Sequence, residues 1–201
     1  MAALEKHRAI VLKRTKYGEA DLILHLLTPQ GGTVSCLARG ALKSKRRFAG
    51  GILEPTHYIE IVLRPSPRAD GLGHLEEAKL LDGFDQVRTS YEKIETALSM
   101  VEMVDKIAQP GDTASNHLFD LLGNGLRGLQ LTEEVQNFRV QFMLKLLYHQ
   151  GVLDAEPWMG PFLKGSLLKG ETAIDLPKVT VSQQRWVEEQ VSTYLKTAER
   201  F

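Results

Sequence analysis

The chain has 201 residues, with 25 Lys and Arg balanced by 25 Asp and Glu, and a single cysteine. That length suffices for one or two domains with buried cores, and one cysteine excludes an internal disulfide and a cysteine-rich zinc site while suiting a reducing compartment. No apolar run approaches the roughly 18–20 residues of a membrane span, and residues 1–20 carry charge where a signal peptide would be apolar, so a soluble, cytoplasmic protein is expected.

The first 80 residues alternate as short strands separated by turn signals. Residues 8–14, centred on Ile10-Val11-Leu12, are predicted as the first strand. Residues 20–28 form the second, with Leu22, Leu24 and Leu26 on one face and Ile23, His25 and Leu27 on the other. Pro29-Gln30-Gly31-Gly32 turns the chain into a third strand over 33–38, where Cys36 reads as a small buried hydrophobe. In residues 56–64, Tyr58, Glu60 and Val62 alternate with Ile59, Ile61 and Leu63; Pro65-Ser66-Pro67 breaks this fourth strand, and 72–81 is the fifth. Five short strands with one long loop suit a small closed barrel, because closure removes exposed edges.

From about Asp85 the period becomes helical. Ile94, Ala97, Leu98, Val101, Val104 and Ala108 make one stripe, ended by Pro110-Gly111; Leu118, Leu121, Leu122, Leu126 and Leu129 make a second. Thr132 is predicted to cap a third helix, with Glu133 and Glu134 at its positive end. Residues 140–148 are apolar nearly all round, placing this helix at the domain centre, and Gly151 stops it. Residues 152–181 read as irregular, after which Ser182 caps a final helix carrying Trp186, Val187, Tyr194 and Leu195. The predicted architecture is thus α+β and multi-domain, with a barrel over 1–82 and an all-α domain over 83–201.

Zero net charge hides a split. Residues 1–68 hold 12 Lys and Arg against 5 Asp and Glu, whereas 69–201 hold 13 against 20. A basic N-terminal third attracts a polyanion, and an acidic remainder suits protein partners. Between Asp21 and Glu54 there is no acid at all, and within that stretch lies Lys43-Ser44-Lys45-Arg46-Arg47. Most Lys/Arg runs are solvated loops, but this one sits on a barrel without acidic neighbours, and phosphate is the simplest partner for it.

Tyr17-Gly18-Glu19-Ala20-Asp21-Leu22-Ile23, Ala38-Arg39-Gly40-Ala41 leading into the basic loop, Leu53-Glu54-Pro55, and Glu77-Ala78-Lys79-Leu80-Leu81 with Phe84 together resemble the bacterial RecO family of recombination mediators. The resemblance covers about residues 5–150 and is most specific in the first 85. It implies an N-terminal five-stranded OB-fold barrel and a helical domain, binding of single- and double-stranded DNA, and annealing of complementary strands. It further implies action with RecR and the C-terminal tail of single-strand-binding protein to help load RecA, with nucleoid association. Many members carry a four-cysteine zinc module after the third helix. The matching stretch here, about 152–181, has neither Cys nor His, so no metal site is expected and the degenerate module is either shrunken or replaced by apolar packing around Trp158 and Phe162, with no cofactor expected.

On this reading Lys43, Lys45, Arg46 and Arg47 meet phosphates, which supply affinity without base identity. Arg39 follows a strand and matches the family's Ala-Arg/Lys-Gly step. Lys13, Arg14 and Lys16 are placed after the first strand, at a loop facing the same groove. Phe48 is read both as a base-stacking ring and as core. Four or five phosphate pairs imply a log–log salt slope of about −3 on single strands.

The helical domain reads either as a brace for the barrel or as a docking platform. If the acidic, Phe-ending tail docks there, Arg127, Arg139 and Lys145 are the candidate cations. Gly123-Asn124-Gly125-Leu126-Arg127-Gly128 matches a dinucleotide fingerprint in letters only, since it interrupts a helical stripe and has no strand before it; close helix approach or an early helix end is the better reading. Glu76-Glu77 and Glu133-Glu134 are adjacent, which neither strand nor helix points together, and the six histidines lack metal-ligand spacing. No serine stands in a nucleophile context, so no enzyme is expected. The rivals are an OB-fold RNA-binding protein of translation or RNA processing, separable by DNA/RNA competition, and a phosphate-handling enzyme, separable by incubation with ATP and magnesium.

Overall fold

Alternation decides the first part of the chain. In the computed structural model, which describes residues 3–30, 32–66, 71–111, 116–168 and 176–198, five strands form: β1 (Glu5–Tyr17), β2 (Asp21–Thr28), β3 (Gly32–Ala38), β4 (Tyr58–Arg64) and β5 (Gly73–Asp82). They close into a barrel in the order β1-β2-β3-β5-β4. All neighbours are antiparallel except β3 and β5, which pair in parallel at Cys36↔Gly73 and Leu37↔His74. The inward set is the one alternation selects: Leu22, Leu24 and Leu26 of β2 and Ile59, Ile61 and Leu63 of β4 are all buried. Cys36 is fully buried among them, and burial pushes its thiol up to about 12, leaving it protonated and inert. Gly31 and Pro67 of the predicted turns lie outside the described residues.

β1 runs further than predicted. Its pairing with β4 stops at Ile10↔Tyr58, but β2 supplies partners as far as Tyr17↔Asp21. Lys13, Arg14 and Lys16 therefore lie within a strand and not in a loop after it.

The chain divides into two compact units: Met1–Gly83 with Ala108–Phe119, and Phe84–Ile107 with Asp120–Phe201. Against the expected division at 82/83, the segment Ala108–Phe119 belongs with the barrel. The Thr33 N–H donates to the Gln109 carbonyl (3.2 Å), Gly32 bridges Pro110, and the Tyr58 and Phe119 rings meet edge-on at 6.1 Å.

The helices are α1 (Tyr91–Ile107), α2 (Asn116–Leu131), α3 (Val135–His149), α4 (Gly160–Lys164) and α5 (Val181–Ala198). α3 buries residues on every turn, Phe142, Leu144 and Leu146 completely. Three local expectations shift. Thr132 closes α2, its N–H donating to the Gly128 carbonyl (3.1 Å), while its hydroxyl accepts the Glu134 N–H (3.2 Å), so α3 opens only at Val135. The cap of α5 is Thr180: its hydroxyl accepts the Gln183 N–H (3.2 Å) while the Gln183 side-chain Oε1 accepts the Thr180 N–H (2.9 Å), a reciprocal box that leaves Ser182 inside the helix. Leu98 of the predicted α1 stripe is 46% exposed, and Met100 and Met103 are buried instead.

The glycines of α2 are packing devices. A Cβ on Gly125 would come within 2.5 Å of the Met100 methyl and 2.9 Å of the Phe142 ring, and one on Gly128 would overlap the Leu167 carbonyl oxygen. Gly128→Ala should therefore destabilise the protein by about 1–3 kcal/mol despite alanine's higher helix propensity, read as a lower urea midpoint. Gly160→Ala, with open space around it, should be neutral or stabilising; equal midpoints for the two variants would refute the close-approach reading.

Candidate nucleic-acid interface

The β3–β4 connection is built from two kinds of residue with opposite destinations. Gly40 turns the chain out of β3 at φ 64, a left-handed conformation that favours glycine, and donates its N–H to the Asp21 carboxylate at 2.7 Å. The Leu42 N–H then donates to the Ala20 carbonyl (2.9 Å). Ala41, Phe48, Ile52 and Leu53 pass into the barrel core. The cations between them cannot follow without losing hydration, so Lys43, Lys45, Arg46 and Arg47 remain exposed. The Ala78 N–H of β5 donates to the Arg47 carbonyl (3.2 Å), pinning the loop to the barrel wall. An open groove of about 880 Å³ runs between residues 43–47 and Glu77–Ala78.

The nine sequence candidates divide accordingly. Lys43, Lys45 and Arg46 lie on the groove and make no ion pair with another described residue. Arg47 is partly committed: its guanidinium donates to the Arg39 carbonyl (2.7 Å) and lies 5.2 Å over the Phe48 ring. Arg39 stands exposed where β3 ends. Arg14 is paired with Glu54 at 2.6 Å. The β1 cations do not share a face: Lys13 pairs across to His25, whereas Arg14 and Lys16 pair across to Leu24 and Leu22. Phe48 is a correction. It is 2% exposed and belongs to the barrel core, so its ring is not open to a base; an aromatic side chain next to four cations is the residue best able to fill the barrel end and hold them there.

The helical unit corrects the second set. Arg139 and Lys145 are six positions apart on α3, about 120° round the helix, and serve different neighbours. Lys145 donates to the Leu163 carbonyl (2.6 Å), and desolvation lowers its pKa. It continues a row with Asn137, which accepts the Val179 N–H (3.1 Å), and Gln141, which donates to the Phe162 and Gly165 carbonyls (both 3.1 Å). This ladder at i, i+4 and i+8 ties down the described parts of the 152–181 region, where Trp158 also meets Phe162 and Trp186 edge-on; residues 169–175 of that region lie outside the described residues. Sequence reasoning missed the ladder, although three polar residues spaced four apart on one stripe of α3 were its signal. Arg127 is exposed on α2.

Arg139 alone of the three lines a cleft of about 340 Å³ between α1, α3 and α5. Met103, Met143 and Val191 are buried at its base, while Lys106 and Lys196 are exposed beside it. The Arg139 guanidinium is 3.7 Å from Glu188, and its buried Nε has no hydrogen-bond partner. Among the described residues no group of three or more His, Cys, Asp or Glu is placed to hold a metal, and no helix is long and apolar enough to cross a membrane.

A closed barrel of this strand order, with helices following it in the chain, defines an OB-fold protein with a helical domain. Residues 1–84 match the family model Recombination protein O N terminal, and residues 88–153 match Recombination protein O C terminal. The chain belongs to the RecO family of DNA repair proteins. It is 41% identical over 114 residues to DNA repair protein RecO of Desulfosudis oleivorans (57% of this chain, 43% of the relative). It is 33% identical over 132 residues to that of Rubrobacter xylanophilus (66% and 51%), and 31% identical over 156 to that of Exiguobacterium sibiricum (74% and 58%). The chain thus spans about half the length of the curated relatives it matches.

Proposed function

We propose that the protein is a non-enzymatic recombination mediator that binds single- and double-stranded DNA and anneals complementary strands. The observation that carries this is the β3–β4 connection: an apolar plug holds Lys43, Lys45, Arg46 and Arg47 on an open groove with Arg39 beside it. Cations so fixed neutralise phosphates, and two strands whose phosphates are neutralised approach without hydrolysis of a nucleotide. Acting in the cytoplasm at the nucleoid, with RecR, the protein would help RecA replace single-strand-binding protein. Fluorescence anisotropy of labelled single-stranded DNA across a salt series tests the first step. Tight binding with a log–log slope of about −3 is expected, and no binding at 50 mM salt would overturn the proposal.

The acidic, Phe-ending tail of single-strand-binding protein fits the cleft between α1, α3 and α5. Met103, Met143 and Val191 would receive the ring, while Arg139, Lys106 and Lys196 meet the carboxylates. A labelled tail peptide should bind Arg139→Ala and Lys106→Ala/Lys196→Ala about tenfold more weakly than the parent, in line with charge-assisted hydrogen bonds worth ~1.5–3 kcal/mol. Lys145→Ala should bind it equally well, and loss in Lys145→Ala alone would move the tail elsewhere.

A further inference from the structure

The cleft between α1, α3 and α5 holds acids of its own. Glu102 and Lys106 line it from α1, Glu188 and Lys196 from α5, and Arg139 is the charge that α3 contributes. Three cations thus share the cleft with two carboxylates, and neither carboxylate is idle. Glu102 pairs with Lys106 at 3.3 Å along α1, whereas Glu188 reaches across from α5 to stand 3.7 Å from the Arg139 guanidinium on α3. The first is an ordinary i,i+4 pair on one helix surface. The second joins two helices inside the cleft.

Glu188 is held where it stands. Its Oε1 accepts the side-chain amide of Gln184, one turn earlier on α5 (3.2 Å). That amide also donates to the Gln136 Oε1 (3.4 Å), and the Gln136 amide donates in turn to Glu92 (2.8 Å), so the row ties the carboxylate to α3 and α1. Arg139 is not satisfied by it. A separation of 3.7 Å is beyond hydrogen-bond reach, and the buried Nε of Arg139 has no hydrogen-bond partner. The pair cancels charge without the close contact, about 2.7–2.9 Å, that a guanidinium and a carboxylate form when free to approach. A carboxylate entering from outside would make the better bond, against the repulsion of Glu188.

We propose that Glu188 is a built-in competitor for acidic ligands of this cleft, an autoinhibitory carboxylate that an incoming acidic chain must displace from Arg139. The proposal rests on the reading of the cleft as the site of an acidic, Phe-ending peptide and adds what limits its affinity. A ligand with one carboxylate exchanges one partner of Arg139 for another, and its gain is small. A chain with several acids also reaches Lys196, which makes no ion pair with another described residue. Glu188 thereby sets a threshold that single carboxylates do not pass, and it keeps the bound peptide exchangeable.

The test titrates a labelled peptide, three aspartates before a C-terminal phenylalanine, against wild type, Glu188→Gln, Glu189→Gln, Arg139→Ala and Arg139→Ala/Glu188→Gln. Glutamine at 188 keeps an acceptor for Gln184 and removes only the charge. Glu188→Gln should bind the peptide about fivefold more tightly, the upper range for an exposed ion pair. Glu189→Gln removes the same charge from an exposed position next to it, outside the cleft, and should bind as wild type does. In the Arg139→Ala background the gain from Glu188→Gln should disappear. Equal gains in Glu188→Gln and Glu189→Gln would reduce the effect to net charge, and unchanged or weaker binding by Glu188→Gln would make Glu188 an orienting group for Arg139. Either result overturns the proposal, and the peptide reading stands if Arg139→Ala still weakens binding. No binding by wild type or by Glu188→Gln would end that reading and the proposal with it.

Discussion

Replacing Lys45, Arg46 and Arg47 together by alanine should remove most of the salt dependence of DNA binding and leave the barrel folded. Each phosphate neutralised on a single strand contributes about −0.7 to the log–log slope. Losing three of the four or five contacts should therefore flatten a slope of about −3 to about −1. If the two proteins extrapolate to equal affinity at 1 M salt, that difference amounts to about 100-fold at 0.1 M. Strand annealing should fall with it, because both rest on the same charge neutralisation. Lys45 and Arg46 make no ion pair with a described residue, so their removal should not cost stability. Arg47 differs: it donates to the Arg39 carbonyl and covers the Phe48 ring. The single variant Arg47→Ala, beside Lys45→Ala/Arg46→Ala, separates charge from loop geometry. Equal slopes in wild type and triple variant, with both folded, would remove the loop from the interface.

Phe48→Ala should unfold the barrel end and not simply weaken base contacts. The ring is 2% exposed within a cluster that includes Leu24, Ile52 and Leu53. Truncating a buried phenylalanine costs about 3–5 kcal/mol, a large part of the 5–15 kcal/mol that holds an ordinary domain together. Phe48→Leu, which keeps most of the volume, should cost under about 1.5 kcal/mol. Urea unfolding followed by circular dichroism measures both. DNA affinity should drop in Phe48→Ala because the cations on either side lose their anchor, and it should be largely restored in Phe48→Leu. A stacking role predicts the reverse pattern: unchanged midpoints, with single-strand affinity lost in the leucine variant as well. Unchanged stability in Phe48→Ala would contradict the buried position.

Tyr17 and Phe48 together show how little a local reading says about where an aromatic ring points. Both are aromatic, and both lie near cations in the sequence. Exposure separates them, and exposure follows from strand register and barrel closure, which no short window contains. The same holds for Lys145. As a cation on a central helix it reads as a docking residue, yet its ammonium is occupied by the Leu163 carbonyl, in a ladder with Asn137 and Gln141.

Features that repeat over a few residues or are set by charge were legible in the chain itself. The inward rows of β2 and β4, the helical stripes, the buried Cys36 and the acid-free basic loop all follow from spacing, because side-chain direction is a local property of strand and helix. Family membership followed from the same short motifs. The tertiary structure alone decided the partnerships: the parallel β3–β5 closure carried by two residue pairs, the return of Ala108–Phe119 to the barrel, the Arg14–Glu54 pairing, and which aromatic ring points inward. These depend on residues far apart in the chain meeting in space, where burial and hydrogen-bond satisfaction choose among partners that local sequence leaves equivalent.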